Sequence, residues 1–138
     1  MLYRYLPDNQ FIRALVVFAQ RRGVHFALSP IPVWHYRPNR RTIYLWKEDL
    51  HSQPLEFIIT AFAHEIGHVV DFDLHPENAK VVAYLGIDEV PEYLEINAFV
   101  IGFKILKELK IPFPVYRYVQ WITEPLRKKV LSLLVNPL

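Results

Sequence analysis

Apolar and polar residues recur along this chain with two different periods. Phe11, Ile12, Leu15, Val16, Phe18 and Ala19 follow Asp8 at helical spacing, and Arg21-Arg22 then Gly23 close the run. A capping Asp8, basic residues in the last turn and a glycine just beyond it are ordinary start and stop signals for a helix. Residues 24–28, 33–36 and 42–46 are short runs rich in β-branched and aromatic side chains, separated by Ser-Pro-Ile-Pro and Arg-Pro-Asn-Arg-Arg. Each reads as a strand, and together they predict a small antiparallel sheet of about three strands. The last run, with Tyr44 and Trp46, is either an internal strand with aromatic core residues or a sheet edge able to pair with an extended peptide.

From residue 55 to 72 or 73 apolar residues occupy every helical face, which predicts a helix buried in the domain centre. Residues 47–53 connect to it, with Ser52 as N-cap and Pro54 in the first turn, and His75-Pro76 ends it. A shorter helix over 76–85 closes at Gly86, and 87–91 is a link. Leu94, Ala98, Ile101, Ile105 and Leu109 then mark a long helix starting at Glu92, stopped by Ile111-Pro112-Phe113-Pro114. Residues 115–122 and 124–135 add two short helices. The fold class is therefore α+β: a small sheet against a mainly helical layer, in one domain spanning residues 1–138.

The central helix carries the chemistry. His64-Glu65-Ile66-Gly67-His68 is an H-E-x-x-H pattern inside an apolar, proline-free run. Residues i and i+4 share one helical face, so both imidazoles can meet one ion, while Glu65, rotated by about 100°, reaches water beside it. Chance yields this pattern about 0.02 times in a chain of this composition. Two imidazoles and a carboxylate at core depth also need a partner, and a metal serves all three. Gly67 between them permits close approach of a neighbouring helix, strand or substrate.

A catalytic site needs a third protein ligand. Glu95 lies 95 − 68 = 27 residues beyond His68, and Glu92 sits one turn earlier on the same face, so spacing leaves both open. Asp71 reads as a helix-end carboxylate or a hydrogen-bond partner of an imidazole. His25, His35 and His51 fall outside metal spacing and read as surface or hydrogen-bonded residues.

Composition narrows the choices. The chain has no cysteine, which excludes disulfides and thiolate ligands and fits a cytoplasmic protein. A histidine and carboxylate set favours zinc. No apolar run of membrane-spanning length occurs, and the first residues lack the pattern of a signal peptide. The net charge of +2 gives no reason to expect nucleic acid as a partner.

The order of short helix, small sheet, H-E-x-x-H helix and a later Glu95-Ile96-Asn97-Ala98-Phe99-Val100 segment resembles the ImmA/IrrE family of minimal zinc metallopeptidases. The likeness covers about residues 8 to 105. It implies one zinc ion per chain held by His64, His68 and Glu95, a peptide or protein substrate, and Asn97 as an orienting group. Ile96 and Val100 depart from the family's smaller residues at those positions. With such a site, Glu65 is the expected general base for water attacking an amide, with an oxyanion donor among Tyr84, Tyr116, Arg117 and Tyr118. The alternative function is a regulatory or binding module that keeps the site but cleaves little. The aromatic, basic segment 112–138 reads either as a helical layer over the core or as a partner or dimer surface.

Overall fold

A computed structural model describes residues 2–83 and 89–135, with side chains from residue 4 onward. Helix α1 spans Gln10–Arg21 and strands β1, β2 and β3 span His25–Leu28, His35–Arg37 and Thr42–Leu45. Helices α2 (Lys47–Ser52), α3 (Leu55–Leu74) and α4 (Pro76–Ala83) follow, then α5 (Glu92–Glu108), α6 (Val115–Val119) and α7 (Leu126–Val135). This is the α+β architecture expected, with three strands. Within the described residues no helix is long and apolar enough to cross a membrane.

Local chemistry moves several boundaries. Asn9, not Asp8, caps α1, because its side-chain oxygen accepts from Phe11 N (2.8 Å) and Ile12 N (3.2 Å), while Asp8 pairs with Arg13 instead. Residues 47–53 are not merely a link: Lys47–Ser52 is a helix with Glu48 and Asp49 in its first turn, where acidic groups favour the dipole. Ser52 donates back to Glu48 O at 2.8 Å and so does not cap α3, whose N-cap position is Pro54. The Tyr84 to Gly86 end expected for α4 lies outside the described residues.

The sheet order is β1-β3-β2, with β1 parallel and β2 antiparallel to β3. The sheet is thus mixed rather than wholly antiparallel: after β1 the chain crosses through residues 29–34 to the far side of β3, runs back as β2, and turns through 38–41 into β3 between them. It also makes β3 the central strand, with Ile43 and Leu45 fully buried, so Thr42–Leu45 is not an edge. The outer strands are β1 and β2. His25 N donates to Arg41 O (2.8 Å) and Ser29 N to Leu45 O (2.7 Å), so residues 41, 43 and 45 turn their main chain toward β1. By alternation Thr42 and Tyr44 serve β2, pairing with Arg37 and His35, and the N–H and C=O of Tyr36 are left on the free edge.

The core runs from α1 (Ile12, Leu15, Ala19) through β3 to α3 (Ile58, Phe62, Ile66, Val69) and α5 (Leu94, Leu106). Tyr118, Val119, Ile122 and Val130 belong to the same core. The C-terminal segment is therefore a covering layer, with Tyr116, Leu133 and Val135 on its outside.

Candidate metal centre

The site exists because α3 and α5 touch main chain to main chain. A Cβ built on Gly67 would lie 2.0 Å from Ala98 O, and one on Gly102 would lie 2.5 Å from Ala63 O. Ala63 and Gly67 are four apart on α3, as are Ala98 and Gly102 on α5, so each helix offers one smooth stripe to the other. The residue order reverses across the contact, 67 opposite 98 and 63 opposite 102, so the helices run antiparallel. Of the two roles open to Gly67, helix packing is the one realised. One residue on from this stripe, about 100° around each helix, the same register sets His64 and His68 against Glu95 and Phe99.

The resulting distances are those of a ligand set. His64 Nε2 is 3.5 Å from Glu95 Oε2, and His68 Nε2 is 2.8 Å from Glu95 Oε1. The three residues offer ligand atoms all within 4.8 Å of one another. Donors about 2.05 Å from a tetrahedral zinc stand roughly 3.3 Å apart. The two spacings, each to a different Glu95 oxygen, bracket that value, so a small shift of the carboxylate would bring one oxygen to a ligand's distance from both imidazoles. Glu95 can make that shift, because its side chain is 30% exposed at the first turn of α5, whereas both imidazoles are buried. Glu92, the other candidate, is bound to Lys129 of α7 and takes no part.

Ring orientation is fixed by packing. His64 stacks on Phe99 with centroids 3.8 Å apart, and His68 tilts against Phe72 at 5.5 Å. Both Nδ1 atoms are buried without a hydrogen-bond partner among the described residues, so the Nε2 atoms are the ones presented to Glu95 and to an ion. Asp71 does not bond an imidazole. It is 1% exposed and accepts from Asn78 Nδ2 (3.3 Å) and Asn97 Nδ2 (3.5 Å), which ties α3, α4 and α5 together. Asn97 therefore orients Asp71 and not a ligand.

The charges are mutually dependent. Burial raises the Glu65 carboxyl, an effect that His64 and His68 only partly offset. For Glu95, burial works upward but hydrogen bonds from His64 and His68 outweigh it and hold the group well below the carboxylate range. His68 is pushed up: burial alone would lower it, and the bond its ring donates to Glu95, with the charges of Glu65, Glu95 and Asp71, reverses that. Glu65 is 4% exposed and its Oε1 is a buried acceptor with no partner among the described residues. These are buried groups whose electrostatics an added cation would satisfy.

The triad and Glu65 open on a cavity of about 530 Å³. Its lining includes all seven residues from Val33 to Asn39, although side chains along β2 alternate: Trp34 and Tyr36 pack on Phe62 and Phe72, while His35 stacks on Tyr44 of the central strand. Consecutive lining residues with alternating side chains mean that the strand's backbone edge faces the cavity. His35 is buried and hydrogen-bonded, its Nδ1 donating to Val33 O at 3.2 Å, and burial lowers its pKa. Of the oxyanion candidates, Tyr84 lies outside the described residues. Tyr116 is exposed, Arg117 pairs with Glu56 at 3.1 Å, and Tyr118 is a buried donor to Phe99 O at 2.6 Å. None of these three lines the cavity. Trp34, Phe57, Phe99 and Trp121 do line it, and only Phe99, one turn after Glu95, was traceable from helical spacing.

Compared with known proteins, the chain matches no family model, no curated protein and no solved structure.

Proposed function

We propose that this chain is a zinc-dependent metallopeptidase of the ImmA/IrrE type. The observation that carries the reading is the convergence of His64, His68 and Glu95 on one point beside Glu65, at the floor of a cavity bordered by a strand edge. Bound zinc would supply a Lewis acid for a carbonyl oxygen and lower the pKa of water at the site. His64, His68 and Glu95 would hold it, and Phe99 stacks on the His64 ring and keeps it in place.

The chain's own residues then divide the work. The N–H and C=O of Tyr36 pair with the main chain of an extended peptide and lay its scissile carbonyl above the triad. Glu65 takes the proton of the attacking water and delivers it to the departing amine. Its Oε1 is buried with no hydrogen-bond partner among the described residues, which leaves it open to accept that proton. The aromatic walls exclude bulk water from this transfer.

The test is paired. Wild-type protein loaded with zinc should contain about one zinc per chain by elemental analysis and cut peptides, with products identified by mass spectrometry. Glu65→Gln should keep the zinc and lose at least 100-fold in rate. Undiminished cleavage in that variant removes Glu65 as the base, and wild-type protein that binds no zinc ends the metallopeptidase reading.

A further inference from the structure

The two ends of the cavity differ. Trp34 packs on Phe62, five residues along from Phe57, and the Phe57 ring meets Trp121 edge-on at 5.8 Å. This end lies toward the start of α3. The other end lies toward its finish, where Tyr36 packs on Phe72. At the first end the polar groups are nearly all committed. Trp34 Nε1 donates to Asp49 at 2.9 Å and the Thr60 hydroxyl donates to Glu56 O at 2.9 Å. Trp121 Nε1 alone is a buried donor with no partner among the described residues. An indole N–H can only donate, so the group that completes it must bring an acceptor oxygen.

Strand polarity says which part of a substrate reaches this end. An antiparallel partner lets one residue exchange both main-chain bonds with Tyr36, the better geometry for so short an edge. Such a chain runs from the Asn39 end of β2 toward the Val33 end. Its residues beyond the triad, on the carboxyl side, therefore arrive at Trp34, Phe57 and Trp121. Phe57 stands about 10 Å along α3 before His64, within reach of the first residues past the cut at about 3.3 Å per extended residue.

We propose that the end walled by Trp34, Phe57 and Trp121 is a pocket for a large apolar side chain on the carboxyl side of the scissile bond, with the Trp121 N–H turning to donate to a carbonyl of the bound chain. The substrate class is an extended peptide carrying an aromatic or bulky aliphatic residue there. This rests on the metallopeptidase reading, and the experiment separates the two.

The probe is a blocked alanine peptide with one central residue varied among Phe, Leu, Ala, Lys and Asp, titrated into zinc-loaded, ¹⁵N-labelled Glu65→Gln protein. The Phe and Leu peptides should bind at least tenfold more tightly than the others and move the Trp121 indole N–H resonance. Trp121→Ala should abolish that preference. Trp121→Phe, which keeps an aromatic wall, should keep the preference and weaken all peptides about fivefold through loss of one hydrogen bond. Wild-type products should carry the Phe in the carboxyl-side fragment. Equal binding of all peptides, an unmoved Trp121 resonance or Phe in the amino-side fragment overturns the pocket, even if cleavage occurs. Phe-selective binding with no wild-type cleavage keeps the pocket and sinks the peptidase reading.

Discussion

Single residues decide whether this site holds a metal, and here the sequence was partly legible. His64, Glu65 and His68 are fixed by their offsets on one helix, since helical geometry leaves no other way to place i and i+4. The third ligand was not fixed by spacing, because Glu92 and Glu95 share a face. What separates them is the partner each meets: Lys129 for Glu92, and the two imidazoles for Glu95. Glu95→Ala should therefore reduce zinc affinity by 100-fold or more, and Glu92→Ala by less than threefold, measured by competition with a colorimetric chelator. Equal losses would break this assignment. Trp121 and the β2 backbone escaped sequence reading because both reach the cavity from parts of the chain far from the motif, and long-range juxtaposition leaves no periodic trace.

At the scale of elements, the α3–α5 contact sets the ligand spacing. Gly67 was visible as an interior helix glycine that must have a reason, but its partner Ala98 carries no signal of its own. Gly67→Ala puts a methyl group into the Ala98 carbonyl, so it should cost about 3 kcal/mol or more in chemical denaturation, or prevent folding, despite alanine's better helix propensity. A neutral or stabilising result would mean that the helices stand further apart. The end of α3 offers a second test. Asp73 accepts from Arg41 (2.9 Å) and Arg22 (3.3 Å), joining α3 to the start of β3 and the end of α1. The bond from Arg41 outweighs burial and lowers the Asp73 pKa below its ordinary 3.8. A carboxyl depressed in the folded state stabilises above its unfolded pKa and stops doing so as pH falls through the folded one. Asp73→Ala should thus cost about 1 kcal/mol at pH 7, with the gap to wild type closing as the pH falls below the ordinary 3.8. A gap unchanged by acid would show that packing, not charge, is at stake.

For the whole molecule, the α+β class followed from element order alone, but strand order did not. Three short runs read equally well as a meander, and only the parallel pairing of β1 with β3 makes β2 the outer strand. The C-terminal helices were read as core layer or partner face, and Val130, fully buried in α7, together with the Lys129–Glu92 bond, ties that helix to the domain. Removing residues 126–138 should lower the melting temperature by at least about 3 °C in calorimetry, about 1 kcal/mol or more for a chain of this size. The brevity of β2 reaches further. Of the positions facing outward, Tyr36 offers a donor and an acceptor, and Pro38, two residues on, has no N–H to give. A second copy of the molecule therefore finds only a very short ladder along this strand, although it stands open beside a large cavity. An edge this short admits a visiting peptide while offering amyloid-like growth little template.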